Sequence, residues 1–272
     1  MRAISLCLHD VLDIERVKPG DVYTLKFIDF CKHLRVIEDR QTPVQTIRSL
    51  YELGTQVPVF LTFDDGTVGA HVFAAPELEK HGWRGHFFIT TDWIGRPGYM
   101  DWDQVRDLHE RGHIIGSHSC SHPERMSHLS TNDLEREWKD SCEILSAIVR
   151  CPVKIASVAG GYYSRRVAEA AASAGIEVLF NSEPTSNAAV VRGCFVLGRY
   201  SIQSFTPPRT SAAIAAGHIW PRWKQSALWN TKRILKTIGG ESYVAVRRHV
   251  LSRLMSRSEE AAVNRGALPG KR

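Results

Sequence analysis

Two carboxylates side by side and two imidazoles four residues apart are the groups in this chain best suited to chemistry. The carboxylates are Asp64 and Asp65 in Thr62-Phe63-Asp64-Asp65-Gly66, at the end of the apolar run Val57-Pro58-Val59-Phe60-Leu61. Adjacent carboxylates repel one another unless a cation or a proton is shared between them. The imidazoles are His118 and His122 in His118-Ser119-Cys120-Ser121-His122-Pro123, a spacing that lets both face one side of a helical turn or tight loop and ligate one transition metal. Taken singly, each has a plain reading. Asp-Asp-Gly is a favoured solvated turn, and a chain with 12 histidines contains an H-x-x-x-H by chance. Joined to Asp65, however, the histidines make a two-His, one-carboxylate set that leaves a coordination position for water. That is the arrangement of a hydrolytic metal site rather than a structural one.

Such groups need strands that end where they stand. The run Val57 to Phe63 reads as a buried strand, and Ile4 to Leu8 as a first strand ending in His9-Asp10. His86 to Thr90 and His113 to Gly116 are two more, with His118 just past the last. Val153 to Val158 runs into Ala159-Gly160-Gly161, and Ile176 to Phe180 and Cys194 to Leu197 bring the strands to seven. Helical periodicity lies between them over Leu25 to Ile37, more weakly over Val44 to Leu53, and over His71 to His81 with Gly82 as its stop. Asp101 starts a helix to Arg111 with Gln104 as capping-box partner. Ser130 or Thr131 caps the next, Asn132 to Val149, whose stripe is Leu134, Trp138, Cys142, Leu145 and Ile148 or Val149. Ser164 to Ala174 ends at Gly175. This alternation predicts right-handed βα units and a largely parallel sheet. Ligands collect at the carboxyl ends of such strands.

The length, 272 residues with 43% hydrophobic content, suits one large domain or two small ones. The six cysteines are scattered without C-x-x-C spacing and read as free thiols of a reducing compartment. The stretch before His9-Asp10 is too short for a signal peptide, and no run approaches the roughly 18–20 apolar residues of a membrane span, so the expected location is cytoplasmic. The net charge of +6 is uneven. From Arg192 to Arg272 there are 15 Lys and Arg against 3 Asp and Glu, a charge of +12, which leaves −6 on the remaining residues. A basic tail suggests an anionic surface or partner, such as phospholipid or a pyrophosphate-linked lipid.

Thr62-Phe63-Asp64-Asp65-Gly66 followed by His118-Ser119-x-x-His122-Pro123 resembles the first two motifs of the polysaccharide deacetylase family, the NodB homology domain of the carbohydrate esterase family 4 type. The resemblance covers about residues 3 to 200 and implies an α/β fold, a deformed (β/α)7-type barrel. It also implies removal of an N-acetyl group from a sugar of a poly- or oligosaccharide, lipid-linked or not, in exopolysaccharide or glycolipid biosynthesis. By the same resemblance Asp64 is the general base, and Asp65, His118 and His122 hold one divalent metal, Zn²⁺ first, with Co²⁺, Ni²⁺ or Mn²⁺ as alternatives. The Leu-x-His motif that most members carry near the carboxyl end of the domain is not reproduced after Gly175. Circularly permuted relatives carry the corresponding strand first, and Leu8-His9-Asp10 resembles that arrangement, which implies His9 as the catalytic acid. The competing reading of His9 is a turn histidine bonded to Asp10. The third motif, usually Arg-Pro-Pro-Tyr-Gly or Tyr-Pro-Tyr-Gly, is matched by Ser157-Val158-Ala159-Gly160-Gly161 and then Tyr162, implying an oxyanion and substrate contact at Gly160, Gly161 and Tyr162. Its arginine, which orients the base in many relatives, is absent, leaving Arg165 or Arg199 to replace it. Two rival functions follow: a deformylase or other amide hydrolase on a lipid-linked sugar, and an inactive carbohydrate-binding module.

The expected division is a catalytic domain over residues 1–205 and a basic amphipathic helical extension over 206–272 with a disordered end. Trp220-Pro221-Arg222-Trp223-Lys224 opens a helical stretch to Ile238, and Tyr243 to Met255 forms a second. Either both pack on the barrel with tryptophan in the seam, or Trp220, Trp223 and Trp229 rest with their basic neighbours on an anionic membrane surface, at its inner face. No nucleic-acid-binding motif accompanies the charge.

Overall fold

The computed structural model describes residues 2–13, 17, 21–47 and 57–231. In chain order the strands are β1 (Ile4–Leu8), β2 (Asp10–Leu12), β3 (Thr24–Lys26), β4 (Val59–Phe63), β5 (His86–Ile89), β6 (Ile114–Ser117), β7 (Ile155–Ser157), β8 (Val178–Phe180), β9 (Ala189–Val191), β10 (Cys194–Leu197) and β11 (Tyr200–Ser201). The α-helices are α1 (Phe27–Glu38), α2 (Ala75–Lys80), α3 (Trp102–Glu110), α4 (Thr131–Val149), α5 (Arg165–Ser173) and α6 (Pro208–Ala215). All seven expected strands are present, in one nine-stranded sheet of order β11-β1-β4-β5-β6-β7-β8-β10-β9. Every pairing is parallel except that of β9 with β10. Only Gly198 and Arg199 separate β10 from β11, yet β10 pairs with β8 and β11 with β1. One short stretch therefore bridges the two sides of the sheet, which curls into the expected deformed barrel.

Side chains alternate across the curled sheet. Phe60, Phe88, Val178, Phe180 and Leu197 pack together inside it. Leu6, Leu61, Phe63 and Phe87 point outward into the larger core shared with the helices. The stripe expected on α4 is buried throughout. Ser130 rather than Thr131 caps that helix, accepting from the Asp133 N–H, and the Asp101–Gln104 capping box forms in both directions.

Two local expectations are corrected. Val44 is not helical: it pairs parallel with Val59, and the Gln45 N–H donates to the Val59 carbonyl, so a sheet partner overrides the apolar spacing; residues 48–53 of that expected helix lie outside the described residues. The segment before Gly82 starts as a π-type turn over Ala70–Ala74 before α2. The described cysteines are all free thiols, but β2 and β3, which the sequence did not disclose, form a small parallel pair of their own. Helix α6 packs on α1, where His33 Nδ1 lies 2.7 Å from the Ser211 hydroxyl. Among the described residues, no helix is long and apolar enough to cross a membrane.

Candidate active site

The alternation that fills the barrel also brings the polar groups to its mouth. One more step along each strand beyond Thr62, Gly116, Ile155 and Leu197 reaches Asp64, His118, Ser157 and Arg199, all buried. Asp65 (φ 75°), Ser119 (φ 68°) and His122 (φ 55°) occupy the left-handed region, where residues other than glycine are strained. Hydrogen bonds hold the histidine loop in that shape. Ser119 Oγ accepts from the His122 N–H at 3.1 Å, and the Glu137 carboxylate on α4 accepts from the Cys120 and Ser121 N–H groups, each at 2.9 Å. The Trp93 ring stacks on His122 at 4.8 Å.

Asp65 Oδ1 stands 3.4 Å from His118 Nε2 and 3.5 Å from His122 Nε2. Donors bonded at about 2.0–2.1 Å to a tetrahedral ion stand about 3.4 Å from one another, so these separations fit one metal ion and are long for hydrogen bonds. The tautomer of His118 fits as well. Its Nδ1 lies 2.5 Å from Ser157 Oγ, and that hydroxyl donates to Asp64 Oδ1 at 3.1 Å. A carboxylate only accepts, so the Ser157 hydroxyl must accept from Nδ1–H, which leaves the Nε2 lone pair facing Asp65.

Arg199 forks onto the other carboxylate. Its Nη1 donates to Asp64 Oδ1 at 2.6 Å and its Nη2 to Oδ2 at 2.8 Å, while Nη1 also reaches Thr62 Oγ1 (3.2 Å) and Nε the Asn181 carbonyl (3.1 Å). Burial pushes the Asp64 carboxyl up, but the charge of Arg199 and its hydrogen bonds hold it well below the usual carboxylate range. Of the two arginines left open by the sequence, Arg199 makes this contact; Arg165 pairs instead with Glu169 at 3.1 Å on α5. The Cys7 thiol donates to Asp64 Oδ2 at 3.6 Å, and burial pushes its pKa up, so it stays protonated.

His9 follows β1. A ring nitrogen of His9, Cys7 Sγ and an Asp64 oxygen lie within 4.8 Å of one another. The His9 ring packs on Tyr23 at 4.7 Å, and its buried Nδ1 has no hydrogen-bond partner among the described residues. Asp10 is engaged elsewhere, since its Oδ1 accepts from Thr67 Oγ1 (2.7 Å) and from the Val11 N–H (2.9 Å). This ties the strand after His9 to the turn after Asp65, and Gly69 fits against it because a Cβ there would lie under 3.0 Å from Asp10 Oδ1 and the Val11 carbonyl.

The family described as polysaccharide deacetylase matches residues 54–179, the stretch that contains Asp64, Asp65, His118 and His122. YxkH of Bacillus subtilis, a protein named for the same activity, is 26% identical over 212 residues, 76% of this chain and 74% of its own. The chain is thus similar to the polysaccharide deacetylase family over residues 54–179, a little under half of its length. Among solved structures, the Streptococcus pyogenes deacetylase PplD in complex with acetate has a TM-score of 0.64 at 20% identity, covering 77% of this chain and 96% of PplD. A de-N-acetylase from Aggregatibacter actinomycetemcomitans also has a TM-score of 0.64, at 18% identity, covering 76% of this chain and 97% of its own. At such identities the likeness establishes the barrel fold.

In this chain the altered third motif forms a short turn over Ala159–Gly161, with Gly160 at φ 64° and Gly161 at φ 70°. A Cβ on Gly160 would lie under 3.0 Å from the Glu124 carbonyl, so a glycine lets this turn close on the segment after His122. Tyr162 lies beneath the Arg125 guanidinium, 5.7 Å from ring centroid to Cζ. Ser157, Glu137, Trp93 and Tyr23 are site neighbours that sequence reasoning missed. The place of Ser157 at the end of β7 was a usable signal for it. No local signal marked the other three.

Proposed function

We propose that this protein hydrolyses the N-acetyl group of a sugar in a poly- or oligosaccharide, with one divalent ion held by Asp65, His118 and His122. The observation that carries the reading is an ionised, arginine-held carboxylate, Asp64, directly beside a two-histidine, one-carboxylate donor set. When bound, the ion, Zn²⁺ first with Co²⁺, Ni²⁺ or Mn²⁺ as alternatives, supplies Lewis-acid polarisation of the amide carbonyl and a more acidic water. The protein supplies the rest. Asp64 accepts the proton of the attacking water. Arg199 keeps it ionised and aimed, at the cost of a lower intrinsic basicity, so placement rather than pKa makes it the base. A protonated His9 gives its proton to the departing nitrogen, and the products are acetate and the free amine. Backbone N–H groups at Gly160 or Gly161 stabilise the oxyanion, with Tyr162 against the sugar.

The acetate in the PplD complex and the activity for which the de-N-acetylase is named are in keeping with this chemistry. An inactive carbohydrate-binding module rested on the missing third-motif arginine, and the guanidinium of Arg199 on Asp64 removes that ground. Elemental analysis of the purified chain, of His118→Ala and of Asp65→Ala tests the donor set. The expected result is about one ion per chain in the wild type and none in either variant. A wild type that takes up no ion from added Zn²⁺ or Co²⁺ would overturn it.

A further inference from the structure

The helix over residues 219–231 meets the barrel with its polar side. Arg222 donates to the Tyr200 hydroxyl (2.9 Å), to Ser186 Oγ (2.5 Å) and to the Gly217 carbonyl (3.2 Å), and its guanidinium also lies over the Tyr200 ring. Gln225 Nε2 donates to the Ser201 carbonyl at 3.0 Å, and Ser226 Oγ to the Pro184 carbonyl at 2.6 Å. Positions 222, 225 and 226 share one helix face. Away from it Trp220 is 73% and Trp223 57% exposed, their rings stacked at 5.1 Å, and Ile219 and Leu228 on the same helix are exposed as well. An ordinary surface helix does the reverse and buries its apolar stripe.

Charge limits what covers this face. The stretch from Pro184 to Gly240 contains no Asp or Glu, and Lys224 is exposed on the helix itself, followed in sequence by Lys232, Arg233 and Lys236. A partner must accept indole rings and neutralise cations together. The interface of an anionic bilayer does both, because tryptophan settles at the level of the headgroups while Lys and Arg reach their phosphates. We propose that this helix docks the protein on an anionic lipid surface through Trp220 and Trp223, oriented by the Arg222, Gln225 and Ser226 anchors. The proposal does not depend on the hydrolytic reading, and its test reads no activity.

Co-sedimentation of the full chain with vesicles of phosphatidylcholine and phosphatidylglycerol, against phosphatidylcholine alone, tests it. The chain is expected to bind the anionic vesicles and release them as salt rises. Lys224→Gln is expected to weaken binding about fivefold, and Trp220→Ala with Trp223→Ala about tenfold or more, both with unchanged melting temperature. Equal binding to neutral vesicles, wild-type binding by the double tryptophan variant, or no vesicle binding would each overturn the proposal. A tryptophan-dependent dimer without vesicle binding, seen by sedimentation equilibrium, would overturn it by assigning the face to a second copy.

Discussion

Replacing Arg199 by methionine removes the guanidinium and keeps most of the side-chain volume. The side chain is 1% exposed and makes two hydrogen bonds to Asp64 at 2.6 and 2.8 Å, one to Thr62 at 3.2 Å and one to the Asn181 carbonyl at 3.1 Å. Asp64 would keep only the Ser157 hydroxyl at 3.1 Å and the weak Cys7 thiol at 3.6 Å among its protein donors. Breaking a buried pair from one side costs about 3–5 kcal/mol, because the remaining charge stays buried without compensation. At about 2–4 °C per kcal/mol for a chain of this size, the melting temperature falls by about 10 °C. Urea unfolding at pH 7 measures the loss. Combining Arg199→Met with Asp64→Asn is expected to cost less than the sum of the two by about 2 kcal/mol. Arg199→Lys retains the charge without the fork and falls between wild type and Arg199→Met. The rate of acetate release gives a separate reading: in Arg199→Met the acid limb of its pH profile moves upward, since Asp64 then protonates more easily. A loss under about 1 kcal/mol, or costs that simply add, would refute the coupling on which the assignment of Asp64 rests.

Ser157→Ala removes the hydroxyl between His118 Nδ1 and Asp64, and metal affinity is expected to fall about 10–100-fold, as read by competition with a chelating dye. Gly69→Ala drives a methyl into Asp10 Oδ1 and the Val11 carbonyl, so it should destabilise the fold by about 1–3 kcal/mol in urea and lower kcat more than it raises KM. Burial lowers the pKa of His33, His86 and His113 from 6.5 to about 4 each. The unfolded chain therefore binds more protons between pH 6.5 and 4, and stability, full above that window, falls as pH drops through it. A urea midpoint that does not decrease from pH 7 to pH 5 would contradict this.

Local chemistry made much of the fold legible. The Asp101 and Ser130 caps and the Leu134-to-Val149 stripe rest on residues a few positions apart, and all of them form. The clustering of Asp65, His118 and His122 was legible for a different reason, since its two motifs are each compact and each follows a strand. The Asp64–Arg199 pair was not legible, because it joins residues 135 positions apart and depends on how the β10–β11 stretch bridges the barrel. Sequence spacing left Arg165 and Arg199 equal; only the inward alternation after Leu197 separates them. Val44 shows the opposite failure, an apolar period that looks helical until Val59 offers a strand partner. The tryptophan helix shows a third. Its apolar spacing permits a seam on the barrel, but hydrogen bonds from Arg222, Gln225 and Ser226 turn the other face inward and leave Trp220 and Trp223 in solvent.

The central claim is metal-assisted deacetylation with Asp64 as the base, and acetate release from an N-acetylated oligosaccharide tests it most directly. The wild type is measured as purified, after chelation and after return of Zn²⁺, beside Asp64→Asn in the same metal. Acetate release that stops on chelation and returns with Zn²⁺, together with an Asp64→Asn variant that still binds the ion but is slower by about 10²–10⁴-fold, is the predicted result. Release indifferent to chelation, or an Asp64→Asn variant as fast as the wild type, would contradict it.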